Sequence, residues 1–220
     1  STRPGSETVP VEEELQRVEA VIAALSKQHV VSADTRKATV MQAALNAGAT
    51  IINDVSALGY EEKSAVVVAK ANAPVILMHA QGEPKTMQLN PRYDDVLLDV
   101  YDGLAASVAK AEAAGIRREN ICVDPGIGFG KSFKQNLELM AGLSLFHGLG
   151  VPVLVGLSRK GFVGAVTGEK LAADRVHGSV GGALQAAAQG AHILRVHDVI
   201  ATVQALAMFT ASSDPDSVDF

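Results

Sequence analysis

The segment Asn120-Ile121-Cys122-Val123-Asp124-Pro125-Gly126-Ile127-Gly128-Phe129-Gly130-Lys131 shows the pattern on which the fold prediction depends. A short apolar run, 120–123, ends in the polar residue Asp124 and continues into a glycine-rich turn. A helical pattern around 133–146 follows it. Apolar runs of this length, bounded by turn residues, are typical of buried strands. We therefore predict a strand-then-helix unit with Asp124 at the carboxyl end of its strand.

The same unit occurs repeatedly along the chain, after a leading helix predicted at 10–27. Strands are predicted at 29–33, 50–52, 74–78, 120–123, 152–156 and 191–196. Helices are predicted around 36–47, 61–71, 93–114 and 133–146. A broken helical region extends up to Gly190, and a last helix ends near Phe209. Alternating strands and helices indicate a parallel sheet with right-handed crossovers.

Such a sheet can close as a TIM barrel or stay open as a doubly wound sheet. No G-x-G-x-x-G follows the first strand, which weakens the dinucleotide-binding alternative. A TIM barrel needs eight strands in about 250 residues. The chain has 220 residues, no initiator Met, and an opening, Ser1-Thr2-Arg3-Pro4-Gly5, that resembles the middle of a loop. We therefore expect an α/β TIM (β/α)8 barrel, 1–220 forming one N-terminally incomplete domain that lacks the first two strands and the first helix.

Composition narrows the function classes. The formal net charge is −5 and no run of Lys or Arg is present, which argues against a nucleic-acid binder. No apolar stretch reaches the roughly 18 residues of a membrane span. The single cysteine, Cys122, cannot form an internal disulfide, so we expect a cytoplasmic protein that binds neither membrane nor nucleic acid.

Polar residues follow every predicted strand. They are Asp34, Asn53-Asp54, His79, Asp124, Ser158-Arg159-Lys160, and Arg195 with His197. In a parallel barrel these ends converge on one rim, where ligands bind. A single Asp after a strand is as often a helix N-cap, and for Asp34 alone that alternative stays open. Six polar strand ends in succession favour a site.

The residue types predict a site with two different ends. Asp34, Asn53 and Asp124 are acceptors suited to the donor-rich edge of an amino-substituted heterocycle. The cationic donors, Arg3, Lys160, Arg195 and His197, suit an oxyanion such as phosphate. We expect catalysis by stabilisation of a departing anion.

Other chemistries find less support. The loop 124–131 has Gly130-Lys131, but not at the spacing from an earlier glycine that a phosphate-binding loop requires. No His/Cys/Asp cluster has zinc spacing, and Gly156-Leu157-Ser158 lacks the final glycine of a nucleophile elbow. Phe129 is either an aromatic contact on the rim or an anchor for its loop.

The motifs together resemble bacterial dihydropteroate synthases. The matching segments, in order, are Ser1-Thr2-Arg3-Pro4-Gly5, Ser32-Ala33-Asp34-Thr35, Asn53-Asp54, Leu77-Met78-His79, 124–131, Ser158-Arg159-Lys160 and Arg195-Val196-His197-Asp198. Each is short, but seven in order are specific. The resemblance implies condensation of 6-hydroxymethyl-7,8-dihydropterin diphosphate with 4-aminobenzoate to give 7,8-dihydropteroate and pyrophosphate.

The resemblance also implies roles for individual residues. The pterin positions are Asp34, Asn53, Met78, Asp124, Lys160 and Arg195, of which Asp34, Lys160 and Arg195 are expected to be catalytic. The diphosphate positions are Arg3, Arg195 and His197. The aminobenzoate positions, where sulfonamide inhibitors compete, are Thr2, Pro4, Phe129 and Ser158. Mg²⁺ is implied as cofactor, but the Asn expected to hold it would lie upstream of Ser1, so no metal ligand is assigned here.

Two other functions stay open at this point. One is the pterin- or folate-binding barrel of a corrinoid methyltransferase, and the other is a non-catalytic pterin-binding module. Family members are typically homodimers, and the last helix, with Val199, Ile200 and Val203 among its apolar residues, hints at an interface.

Overall fold

The computed structural model describes residues 6–82 and 86–217. The strands are β1 (Ser32–Asp34), β2 (Ile51–Asp54), β3 (Val75–Met78), β4 (Ile121–Asp124), β5 (Leu154–Val155) and β6 (Ile193–Leu194). The helices are α1 (Val11–Leu25), α2 (Ala38–Asn46), α3 (Glu62–Ala71), α4 (Val96–Ala113), α5 (Phe133–Ala141), α6 (Gly161–Thr167), α7 (Val176–Ala188) and α8 (Val199–Ser213). Short 3₁₀ segments occupy Arg118–Asn120, Leu143–Leu149, Ala172–Asp174 and Pro215–Ser217. Each of the six predicted strands is present and overlaps its predicted run.

All strand pairs are parallel, and spatial order follows chain order. Strands β1 to β4 form one sheet, β5 and β6 form a second, and a bridge between Val123 and Val153 joins the two. Asp34 pairs with Asn53, and Met78 pairs with Asp124. This register places polar residues of neighbouring strands side by side at the carboxyl end of the sheet. Within 6–82 and 86–217, no strand pairs with the outer edges of β1 or β6.

The core lies between the sheet and the helices that cover it. Ile52, Leu77 and Val123 on the strands are fully buried, as are Leu104 on α4 and Leu139 on α5. Burying one such side chain contributes about 1.5–3 kcal/mol to folding. This apolar layer fixes the strands, so the polar residues at their ends are held on a rigid frame.

The ends of two helices, α5 and α8, lie furthest from their predicted positions. The helix predicted over 133–146 ends at Ala141, and after Gly142 the chain continues as a 3₁₀ segment. Gly142 packs tightly against α4, since a Cβ there would lie 2.6 Å from Leu97. Helix α8 extends beyond the predicted end at Phe209 to Ser213. The hydroxyl of Ser213 donates to the Phe209 carbonyl, which satisfies a backbone acceptor in the last turn.

Helix α8 carries the most exposed apolar surface among the helices. Val199, Ile200, Val203 and Met208 are each more than half exposed, at 57, 77, 58 and 69%. No helix in the described part of the chain is long and apolar enough to cross a bilayer.

Candidate active site

A cavity of about 780 Å³ extends along the strands, from Ser32 and Ile51 at the amino ends of β1 and β2 to the carboxyl ends, and along one face of α8. Asp34 from β1, Asn53 from β2 and Arg195 after β6 line it. Three side chains predicted from separate strand ends therefore meet at one cavity. Asp34 does not cap a helix, because α2 begins after Lys37.

Arg195 is the central cation of this cavity. Its Nη2 donates to Asp124 Oδ2 at 2.9 Å, and its Nη1 donates to Asn53 Oδ1 at 3.3 Å. The guanidinium fits because position 156 is glycine, where a Cβ would lie 2.6 Å from Nη2. The Arg195 side chain is still 40% exposed, so part of its planar face is free to contact a ligand.

The two acceptors that hold Arg195 are themselves buried. Asn53 is 4% exposed and Asp124 is 1% exposed. The second oxygen of Asp124 accepts from the backbone N–H of Gly126 at 2.8 Å. Both carboxylate oxygens of Asp124 are thus engaged, which fixes its orientation and keeps a negative charge at the end of β4.

Asp34 is the most open acceptor of the group. Its carboxylate faces the cavity, yet the protein surrounds it closely enough that burial raises its pKa. The charge of Arg195 and a hydrogen bond from Asn53 oppose that rise. Asp34 can therefore accept hydrogen bonds when ionised, and it takes up a proton at a higher pH than an ordinary Asp.

Lys160 approaches the site from the loop after β5. Its Nζ donates to the carbonyl of Ile127 and lies 4.8 Å from the centre of the Phe129 ring. Burial lowers the pKa of Lys160 to about 8, partly offset by Asp124. The ammonium is still charged at neutral pH, and it joins the Asp124 region to the Phe129 ring.

Ser158 and His197, predicted at opposite ends of the site, contact each other. Ser158 Oγ lies 3.0 Å from His197 Nδ1 and accepts from the His197 backbone N–H at 3.3 Å. Next to this contact, Arg159 forms a two-point ion pair with Asp198, its Nε donating to Oδ2 at 3.0 Å. These two contacts join the loop that carries Lys160 to the loop that carries Arg195.

Met78 and Phe129 line a second, smaller cavity of about 430 Å³ beside the first. Met78 is buried at the end of β3, with 1% exposure. Phe129 is half-buried, and the ammonium of Lys160 lies near its ring. This contact favours a position on the rim of the site over a role as a purely internal loop anchor.

Two polar strand ends hold loops instead of facing the main cavity. Asp54 accepts three hydrogen bonds from its own turn, from Ser56 N at 2.7 Å, Ser56 Oγ at 2.6 Å and Leu58 N at 3.0 Å. His79 contacts the buried ammonium of Lys131 at 3.1 Å. The carboxylate of Asp54 is engaged by its own turn, whereas the His79 ring contacts Lys131 through Nδ1 and also lines the smaller cavity. A ligand contact at either residue stays a prediction.

Comparison with known proteins identifies the family to which this arrangement belongs. The sequence profile of the family described as "Pterin binding enzyme" matches residues 1–197. The chain is 45% identical to dihydropteroate synthase of Escherichia coli (strain K12), over 96% of this chain and 75% of that protein. The chain belongs to the dihydropteroate synthase family of pterin-binding enzymes.

Solved structures of the family agree in fold. A Xanthomonas albilineans dihydropteroate synthase with 4-aminobenzoic acid superposes with a TM-score of 0.92 at 48% identity, covering 97% of this chain and 77% of that one. A Yersinia pestis dihydropteroate synthase in a sulfonamide drug complex gives a TM-score of 0.93 at 43% identity, covering 97% and 78%. The α/β TIM-barrel prediction is confirmed by these matches.

Some of the residues predicted for the site of this dihydropteroate synthase family member lie outside the described residues. Thr2, Arg3 and Pro4, predicted at the aminobenzoate and diphosphate ends, are among them. Magnesium is a further prediction of the resemblance. Within 6–82 and 86–217, no group of three or more His, Cys, Asp or Glu side chains could hold a metal ion. Binding of Mg²⁺ stays a prediction.

Sequence reasoning missed three residues that shape the site. Gly156 makes room for Arg195, and Asp198 pairs with Arg159. Lys131 is buried at the end of the glycine loop, residues 124–131. A glycine at the end of a predicted strand was a usable signal for Gly156, because such glycines often mark a close approach. Lys131 gave no signal, since a lysine after glycine is ordinarily a surface residue.

Proposed function

We propose that this chain catalyses the dihydropteroate synthase reaction. The bond between the pterin methylene carbon and the diphosphate oxygen breaks, and pyrophosphate leaves with the electron pair. The amine of 4-aminobenzoate then forms a carbon–nitrogen bond to the methylene carbon and loses one proton. The products are 7,8-dihydropteroate and pyrophosphate, so the chain is a transferase of a pterinylmethyl group.

The observation that carries this proposal is the clustering of Asp34, Asn53 and Arg195 at one cavity, with Asp124 holding Arg195. The carboxylates and the amide can accept and donate along the polar edge of a pterin. The exposed part of the Arg195 guanidinium can pack on the flat ring. Lys160, placed 4.8 Å from the Phe129 ring, provides a charged donor between the pterin end and the aminobenzoate end.

The cations suit the departing anion. Arg195 and Lys160 are fixed by hydrogen bonds before any ligand binds, and His197 is fixed by Ser158. Pre-positioned donors stabilise developing charge without the free-energy cost of reorganisation. No nucleophilic side chain is needed in this scheme, because the arylamine itself attacks the methylene carbon.

The experiment is direct. Purified protein is incubated with the pterin diphosphate and 4-aminobenzoate, and pyrophosphate release is measured together with formation of 7,8-dihydropteroate by mass spectrometry. Equal amounts of both products support the proposal. Pterin binding without turnover would contradict it and would favour the non-catalytic pterin-binding module.

The corrinoid methyltransferase alternative can be tested in the same preparation. A folate-dependent methyltransferase would transfer a methyl group to a corrinoid and would not require 4-aminobenzoate. The relatives with high coverage are named dihydropteroate synthase, which supports the transferase over this alternative. Methyl transfer without incorporation of labelled aminobenzoate would reverse that choice.

Four finer properties are part of the proposal. We propose that sulfonamides compete with 4-aminobenzoate, that Mg²⁺ assists pterin diphosphate binding, that the protein is cytoplasmic, and that it forms a homodimer. Ile200 and Met208 on α8, which are exposed and do not line the 780 Å³ cavity, support self-association. Inhibition kinetics, calorimetric titration with and without EDTA, cell fractionation and light scattering test these properties in turn.

A further inference from the structure

Among the charged side chains in the described part of the chain, Lys131 is the largest that is fully buried. It is 1% exposed, and no carboxylate lies within ion-pair distance of its ammonium there. Burying an ammonium carries a large desolvation cost unless hydrogen bonds replace its water. The contacts of Lys131 Nζ therefore indicate what the residue does.

Those contacts all lie within two segments. Lys131 Nζ donates to the carbonyl of Phe129 at 3.0 Å and to the carbonyl of Gly126 at 3.1 Å, and it lies 3.1 Å from His79 Nδ1. The carbonyl of His79 is a fourth neighbour at 3.4 Å. A lysine ammonium has three donors, which match the three shorter contacts. Burial lowers the pKa of Lys131 to about 7, partly offset by Asp124, so the ammonium and the neutral amine are both populated near neutral pH.

His79 is suited to accept from this ammonium. Burial, with a further contribution from the Lys131 charge, lowers the pKa of His79 to about 3. The imidazole is thus neutral, and Nδ1 can accept a hydrogen bond while Nε2 carries the proton. His79 is separately fixed to β4, since its backbone N–H donates to the Asp124 carbonyl at 2.9 Å.

The shape of the glycine loop depends on hydrogen bonds to residues outside the loop. Gly126, Gly128 and Gly130 all have positive φ, which lets the loop press against the end of β3. The loop reaches the site through Phe129, whose ring lies beside Lys160. Other side chains hold the loop elsewhere, among them Tyr93, whose hydroxyl donates to the Gly130 carbonyl at 2.8 Å.

We propose that Lys131 is a positioning residue for the aminobenzoate end of the site. Its buried ammonium ties the carbonyls of Gly126 and Phe129 to His79 at the end of β3, and this tie fixes the Phe129 ring beside Lys160. The proposal rests on the proposed function, because it assigns Phe129 to the aminobenzoate end. Lys131 acts through Phe129 and does not touch the substrates.

The first test needs no turnover. The chain has no tryptophan, so Phe129→Trp introduces a single fluorescent reporter at the position in question. Adding Lys131→Met to this variant should shift the emission to longer wavelength and increase quenching by acrylamide. Lys134→Met is the matched control, because Lys134 is on the neighbouring helix with its side chain 87% exposed. Emission unchanged by Lys131→Met would overturn the proposal.

The second test separates positioning from general loosening of the loop. Lys131→Met should raise the KM for 4-aminobenzoate about tenfold or more, with the KM for the pterin diphosphate nearly unchanged. Tyr93→Phe loosens the loop at Gly130 and should leave both values nearly unchanged. Equal effects of the two variants, or an equal rise in both KM values, would refute a specific role for Lys131.

A double-mutant cycle measures whether Lys131 and Phe129 act together. If Lys131 acts through Phe129, Lys131→Met should add little to the KM effect of Phe129→Ala, whereas independent effects would multiply and contradict the proposal. Should Lys131→Met fail to fold, His79→Phe removes one acceptor of the tie and should give a smaller rise in the same KM; no rise would overturn the proposal. Turnover by the parent chain tests the proposed function separately.

Discussion

Replacement of Lys160 by methionine should make the protein more stable and much less active. The pKa of Lys160 falls from the ordinary 10.5 to about 8 because the side chain is desolvated. Each pH unit of such a displacement corresponds to about 1.4 kcal/mol, so complete burial would cost about 3 kcal/mol. Lys160 is partly exposed and donates to the Ile127 carbonyl, so we expect Lys160→Met to gain about 1–2 kcal/mol at pH 7.

The pH dependence gives the sign of this effect independently. The folded-state pKa of Lys160 lies below the unfolded value, so the folded state binds fewer protons between pH 8 and 10.5. The free-energy cost is fully present below pH 8 and disappears as the pH rises to 10.5. The stability difference between Lys160→Met and the parent should therefore shrink across that window.

The same substitution should abolish most turnover. A hydrogen bond from a charged donor contributes about 1.5–3 kcal/mol, so kcat/KM should fall about ten- to hundredfold. Urea unfolding at several pH values measures stability, and pyrophosphate release measures activity. Lys134→Met, with an exposed side chain, should change neither property. A less stable Lys160→Met protein at pH 7, or a stability difference independent of pH, would refute the reasoning.

Three further substitutions test the rest of the site. Arg195→Met should lower the free energy of unfolding by about 2 kcal/mol, measured in urea, because it leaves the buried Asp124 carboxylate without its cation. Burial raises the pKa of Asp34, so kcat/KM should fall on acidification at a pH above 3.8, and Asp34→Asn should lose this acid limb in a pH–rate profile. Asp198→Asn removes the charge that holds Arg159, and steady-state kinetics should show kcat/KM lowered about tenfold with little change in urea midpoint.

The strand-and-helix order could be predicted because each strand is a short apolar run followed by polar residues. The runs around Ile52, Leu77 and Val123 are buried on both sides, which leaves little ambiguity about their structure. The break at Gly142 was not predicted, because the periodicity of the helix continues through it. Its cause is a close approach by Leu97 on another helix, and such a contact is absent from local sequence.

The candidate site was predictable to the extent that it depends on strand ends. Asp34, Asn53 and Arg195 were placed correctly at one cavity, because parallel register puts their strand ends at the same edge. Lys131 was missed for the opposite reason. Its partner His79 lies 52 positions away in sequence, and only the folded loop brings the two together.

A polar residue at the end of a parallel strand can face a cavity or hold a loop, and Asp34 and Asp54 show the two cases. Asp54 has its carboxylate filled by three donors from its own turn, and it is fully buried. Asp34 opens into the cavity. One of the three donors to Asp54 is typical of such a turn, because an Asp commonly accepts from the backbone N–H two residues on, here that of Ser56. Asp34-Thr35-Arg36 offers a backbone N–H at the same spacing, so the path of the chain after each strand decides which of the two carboxylates faces the cavity.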